Sequence, residues 1–164
     1  MNYTEARSKI LTGDMIAVKR RSGLLPNLTR FLTSSPHTHT GTAMWCGGRL
    51  LVTEINGGGN HLTPLSQFTP YGFDVFECPV DRLEYEICAW NSLGENVIYS
   101  MRDLVAAAFG AMMHLRLPTS SHGLICSAYT ARDYIGAGWV ENLPEIPTPA
   151  DIAKDLVFKF SVDN

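Results

Sequence analysis

The chain has no Cys-x-x-Cys pair, no apolar run long enough to cross a bilayer and no sustained block of basic residues. Each absence removes a class of function. Its four cysteines (Cys46, Cys78, Cys88, Cys126) lack metal-ligand spacing, and without an export signal they are expected to be free thiols. The longest apolar stretch, LVAAAFGAMMHL from residue 104, falls short of the roughly 20 residues of a membrane helix and predicts a buried helix. VKRR at 18–21 is the only basic cluster, too short to make nucleic acid an expected partner. The opening MNYTEARSKILTGDM is polar and has no apolar core of signal-peptide length, which predicts a cytoplasmic protein. There is no internal repeat and no low-complexity tract.

What remains is ordinary globular material: 164 residues, 45% hydrophobic and 18% charged, with a net charge of -3. One domain spanning 1–164 is expected, large enough to bury roughly two-thirds of the surface its unfolded chain exposes. A short helix is predicted from Thr4 to Leu11, with Thr4 as N-cap and Gly13 closing it. DMIAVKR reads as a strand and LLPNLTRFL as a short helix. HTGTAMW and RLLVTEI read as two strands joined at Gly47-Gly48, a hairpin signal. FDVFECPV and DLVFKFSV are further strands. Between them RLEYEICAWNSLG, SMRDLVAAAFGAMMHL and LICSAYTARDYIGAG read as helices, and TPADIAKD as a short one with Thr148 as N-cap and Pro149 first. Strands at both ends with helices between them predict an α+β fold on an antiparallel sheet.

The hairpin sorts its side chains. With a two-residue turn, Cys46 faces Arg49, Glu54 faces Gly41 and His39 faces Asn56. His39, Gly41, Glu54 and Asn56 then share one face. His39 and Glu54 become diagonal neighbours, with Cα atoms roughly 7 to 8 Å apart, and Gly41 leaves the space between them open. A carboxylate or amide beside a histidine on a rigid strand fixes the imidazole's tautomer and orientation, as a general base requires. A plain solvated hairpin is the competing interpretation.

Cys126 stands in SSHGLICSAYT, at the start of a predicted helix. The positive end of the helix dipole and a nearby histidinium both favour thiolate, and free helix N–H groups can hold an oxyanion. The competing interpretation is a small buried hydrophobe, which suits Cys78 and Cys88 better; Cys46 falls at the hairpin tip. His37, His39, His61 and His122 offer a metal site on paper through His-x-His, but no further ligand spacing supports it. GGGN at 57–60 precedes no Lys-Ser or Lys-Thr and opens no helix, so it reads as a mobile segment beside the site rather than a phosphate loop. No cofactor is expected.

The order of these segments resembles the circularly permuted, YiiX-like branch of the NlpC-type cysteine peptidases in the papain superfamily. GDMIAV (Gly13, Asp14) matches its Gly-Asp strand, HTG (His39, Gly41) its histidine strand and VTE (Glu54) the strand after it. GGGNHLTPLSQF is similar to the family's connection. LICSAYTARDYIGAG then supplies the cysteine helix after the histidine strand, which is the permuted order, and TPADIAKD is similar to the C-terminal segment. The resemblance covers roughly residues 10–156 and implies a Cys126 nucleophile, a His39 general base and Glu54 orienting the imidazole. CSA stands where CSG or CSE is commoner. ICSAYT also lacks the Asn-Cys-Glu-His motif of the permuted lipid acyltransferases, so acyl transfer between lipids is the less favoured branch.

The expectation is a papain-like hydrolase that cleaves an amide in a small-molecule or peptide substrate, such as a cell-wall stem peptide, with ester or thioester cleavage as a variant. Tyr129, Asn56 and Ser127 are candidates to contact substrate, with Tyr129 or Tyr99 completing the oxyanion hole. The alternatives are a catalytically silent module on the same fold that binds a peptide or acyl chain, and a hydrolase of lipid or thioester acyl groups.

Overall fold

A computed structural model describes residues 1–19, 36–100, 102 and 123–163. The helix expected over LLPNLTRFL lies outside the described residues, as does that over SMRDLVAAAFGAMMHL apart from Ser100 and Arg102.

The chain opens with helix α1 (Tyr3–Arg7), capped by Asn2, whose side chain accepts a hydrogen bond from Glu5 N at 2.9 Å. The cap therefore falls two residues before Thr4, and the helix stops well short of Leu11. Strand β1 (Met15–Val18) follows, then β2 (His39–Cys46), β3 (Arg49–Asn56) and β4 (Gly59–Pro64). A 3-10 segment (Leu65–Tyr71) leads into β5 (Phe73–Phe76). Helix α2 (Arg82–Gly94) is N-capped by Asp81, which accepts from Leu83 N and Glu84 N. Short strands β6 (Ile98–Tyr99) and β7 (Gly123–Leu124) pair in parallel. Helix α3 (Cys126–Gly136), helix α4 (Pro149–Lys154) and strand β8 (Phe158–Val162) complete the described chain. Helix α4 begins as expected, with Pro149 first and a reciprocal capping box between Thr148 and Asp151.

Six strands form one antiparallel sheet in the order β4-β3-β2-β1-β5-β8. Strand β1 lies inside it and is buried on both faces, which explains why MIAV is apolar throughout instead of alternating. Its side chains divide by parity. Ile16 and Val18 join a core with Ile10, Val52, Phe68 and Val75. Met15 and Ala17 join a second core with Met44, Tyr85, Ala131, Tyr134 and Ile152, contributed in part by α2, α3 and α4. Helices α2, α3 and α4 thus pack on the sheet face of this second core, whereas α1 joins the first through Ala6, and the fold is α+β.

The β2–β3 turn is as read from the sequence. Cys46 opposes Arg49, and Gly47 and Gly48 take φ values of 54° and 76°, the sign that a type I′ turn demands at both central positions. The next segment is not. Residues 57–60 form the turn and first residues of a second hairpin, in which β4 pairs with β3 from Asn56↔Gly59 to Leu51↔Pro64. That hairpin brings His61 directly opposite Glu54.

Candidate active site

Helix α3 carries Cys126 as its first residue. Its position is fixed by three ties along its length. Thr130 Oγ1 donates to Thr40 Oγ1 at 3.4 Å, Tyr134 Oη donates to the Gly13 carbonyl at 2.7 Å, and Ser92 Oγ on α2 donates to Asp133 Oδ1 at 2.5 Å. The N-cap residue is Ile125, whose side chain can accept nothing, so the first-turn N–H groups of α3 have no side-chain cap.

His39 begins β2, where β1 holds it in register through Val18↔His39. Its ring stacks on Phe68, with centroids 6.1 Å apart and planes 20° apart. Nε2 donates to Glu54 Oε2, and the ring also shares a hydrogen bond with the Cys126 thiol, which leaves Nδ1 as the nitrogen facing sulfur. The backbone N–H groups of Thr40 and Ser127 are hydrogen-bonded to the same sulfur. Cys126, His39 and Glu54 are therefore one continuous chain, and all three are buried.

The carboxylate end is well supplied. Thr63 Oγ1 donates to Glu54 Oε1 at 2.5 Å, and His61 Nε2 lies 3.3 Å from the same oxygen. Both partners stand on β4. Neither is expected beside Glu54 when GGG is read as a loose segment. Read as a turn, it places His61 opposite Glu54 and Thr63 diagonal to it.

Burial alone would suppress charge here. It acts to lower the His39 pKa, but the thiolate of Cys126 and the carboxylate of Glu54 outweigh it and raise the imidazole to about 9. For Cys126 burial acts upward, and the His39 cation with the Thr40 and Ser127 N–H groups brings the thiol below its ordinary value. Magnitudes show why the extra partners matter. Two unit charges in contact attract by about 4 kcal/mol at an effective dielectric of 20. Desolvating two ions costs several kcal/mol each. The pair alone does not hold, whereas the pair with Glu54 and two N–H donors does.

The remaining residues singled out from the sequence are placed differently. Asn56 does not reach His39; it accepts from Gly58 N at 2.9 Å and donates to His61 Nε2 at 3.1 Å. Ser127 is fully buried and its hydroxyl donates to the Pro147 carbonyl at 2.6 Å, so its side chain ties down the helix start and only its N–H faces the site. Tyr129 packs with Ile55 beside Cys126, its hydroxyl buried next to the Asn60 amide without a well-formed hydrogen bond. Tyr99 sits at the edge of that cluster. His37 turns to another carboxylate, Asp74, at 2.8 Å, and His122 lies outside the described residues. All four cysteines are unpaired.

Gly41 is required by contact rather than by open space. A Cβ there would stand 2.5 Å from Val52 Cγ1, 2.6 Å from the Thr53 carbonyl oxygen and 3.3 Å from Glu54 Cβ. The carbonyl belongs to β3 and cannot swing away. Gly41→Ala is expected to cost about 1–3 kcal/mol, the range for overpacking, measured by urea denaturation. Stability within about 0.5 kcal/mol of the parent, the range of an inconsequential surface change, would show that β2 and β3 separate freely.

Fold and site together describe an α+β protein in which a cysteine at a helix start meets a histidine on an antiparallel sheet. Among solved structures, the chain is similar to the metalloprotein YiiX from Escherichia coli, with a TM-score of 0.59 at 19% identity, covering 94% of this chain and 89% of that one. At that identity the likeness is one of fold. No family model matches the chain, and no curated protein matches it significantly.

Proposed function

We propose that the protein is a thiol-dependent hydrolase of the permuted papain-like type, cleaving an amide bond through Cys126, His39 and Glu54. The observation that carries this reading is the continuous hydrogen-bonded chain from the Cys126 sulfur through the His39 imidazole to the Glu54 carboxylate, at a helix start without a side-chain cap. His39 takes the thiol proton, and the thiolate attacks the substrate carbonyl to give a tetrahedral oxyanion. The N–H groups at the start of α3 stabilise that oxyanion. The imidazolium returns the proton to the leaving amine, and water, deprotonated by His39, releases the acyl group from sulfur. Ester and thioester substrates need only a better leaving group at the same step.

The similar YiiX protein is described as a metalloprotein. Among the described residues of this chain, no group of three or more His, Cys, Asp or Glu side chains is arranged to hold a metal ion. His37 and His39, the apparent His-x-His pair, are committed to two different carboxylates. Among the described residues the donor set does not fit a resident metal, and no step here passes through one. Among the described residues no helix is long and apolar enough to cross a membrane.

The chemistry sets the pH window. Activity requires thiolate, which is lost as pH falls through the lowered Cys126 pKa. It also requires imidazolium to protonate the amine, which is lost as pH rises through about 9 at His39. A plateau ending on the alkaline side near pH 9 is therefore expected in kcat/KM for an amide substrate (about that value, from the raised imidazole). The test is turnover of a library of N-acyl amino acid and peptide amides, with Cys126→Ala as the blank. Hydrolysis that persists in Cys126→Ala, or no hydrolysis of any amide, ester or thioester despite a reactive thiolate, overturns the assignment; the second result indicates a binding module.

A further inference from the structure

Glu54 faces two histidines, and the hydrolase reading uses only one. His39 takes Oε2, while His61 Nε2 lies 3.3 Å from Oε1. The two imidazoles differ in access: the His39 side chain is 6% exposed and that of His61 is 38% exposed. The buried chain thus has one arm open to solvent protons.

The hydrogen bonds of His61 define two states. Its Nδ1 is 2.9 Å from the Gly59 carbonyl, which can only accept, so Nδ1 carries a proton. In the neutral ring Nε2 is then a bare acceptor, matched to the Asn56 amide donor at 3.1 Å and facing Glu54 Oε1 lone pair to lone pair. In the cation Nε2 carries a proton and donates to Glu54 Oε1, while the Asn56 donor loses its acceptor. One proton exchanges the partner from Asn56 to Glu54.

We propose that His61 is a positioning residue for the Cys126–His39 pair, and that its protonation brakes the site by taking up part of the Glu54 charge. The proposal rests on the hydrolase reading and adds its regulation by acid. A second cation on Glu54 weakens the support that carboxylate gives to the His39 cation. His61 meets the other oxygen of the carboxylate that His39 engages, so its charge competes directly with the His39 cation for Glu54. The ion pair is therefore depopulated as His61 charges.

Other ionisable groups stand around β4. From β3 come Glu54, beside the neutral Asn56, and Arg49 at the far end of the strand, and β6 adds Tyr99. On α2, Arg82 pairs with Asp14, Glu84 acts on Cys88 and Glu86 on Cys46, and Tyr85 is hydrogen-bonded to Thr42; Glu95, just past α2, pairs with Arg132.

The experiment is the pH profile of Cys126 alkylation by iodoacetamide between pH 4.5 and 9, on the intact protein and on His61→Gln, which cannot become a cation. The variant-to-parent rate ratio is expected to rise by about threefold from the alkaline to the acid end of the profile, the size of effect a partly exposed ion pair gives. A ratio constant across pH, whether the variant is uniformly slower or equal, overturns the brake. Nitrogen-15 spectra of the histidine rings in the parent protein provide a check independent of the variant's folding. His39 signals that move together with those of His61 support the coupling, and His39 signals that ignore them refute it. A parent Cys126 that is unreactive at every pH below 8 is a different failure, and overturns the hydrolase reading itself.

Discussion

His39→Ala is expected to slow alkylation of Cys126 at pH 6 by about two to three orders of magnitude, read residue by residue by mass spectrometry. In the parent protein the thiol is held below its ordinary value by the His39 cation and the Thr40 and Ser127 N–H groups. Removing the imidazole leaves burial in place, and burial drives a thiol upward. The thiolate fraction at pH 6 then falls steeply, offset in part because a more basic thiolate is the stronger nucleophile. Cys46 is the internal reference: it is half-buried, raised by burial and Glu86, and has no part in the chain. If Cys126 reacts equally well in both proteins, there is no thiolate–imidazolium pair and the mechanism built on it is lost.

Asp14→Ala is expected to give the largest loss of stability, about 3 kcal/mol, or a drop in Tm of roughly 6–12 °C for a chain of this size. Asp14 is wholly buried and holds two cations, Arg82 at 3.0 Å and Lys159 at 2.7 Å, and it also accepts from the Leu11 and Cys78 backbone N–H groups. Truncation leaves those donors without their acceptor. The cost sits at the low end for a broken buried pair because the side chains of Arg82 and Lys159 remain 32% and 20% exposed and can partly rehydrate. Asp14→Asn, which keeps a hydrogen-bond acceptor but no charge, should lose less. Thermal unfolding followed by circular dichroism measures both. A loss under about 1 kcal/mol for Asp14→Ala would mean that water replaces the carboxylate without penalty.

The two results separate the roles of two conspicuous segments. Gly13-Asp14 works as a structural joint: the Asp14 carboxylate holds β8 through Lys159 and the start of α2 through Arg82, and the Gly13 carbonyl accepts from Tyr134 on the cysteine helix. Disruption there should reach Cys126 only through the seating of α3. His39, in contrast, touches the sulfur's proton directly.

Much of this is legible locally. Gly47-Gly48 fixes the β2–β3 register because positive φ at both turn positions is open to glycine and costly for most other residues, and that register is what gives His39 and Glu54 a common partner surface. Asp81 and Thr148 announce their helices because side-chain acceptors at N-caps are a local device. Cys126 is readable at the first turn of a helix from the equally local pattern of LICSAYTARDYIGAG, which the glycines close. Three glycines in succession at 57–59 carry no such signal: they are compatible with a loose loop or a tight turn, and only the pairing of β4 with β3 decides. Ser127 and Asn56 do not stand where their polarity suggests, because polarity in sequence does not say which neighbour will take the hydrogen bond.

By itself, then, the sequence determined what propensity and short-range geometry control: the hairpin register, the capped helices, the apolar strand β1 and the types of the chemical groups. The tertiary structure alone decided that the Cys126 helix start meets the His39 strand, that Glu54 rather than Asn56 reaches the imidazole, and that His61 and Thr63 share its carboxylate. The reason is physical. Contacts between residues far apart in the chain depend on how apolar faces stack and on which buried polar groups must find partners, and those constraints are satisfied jointly by the folded molecule rather than by any one segment.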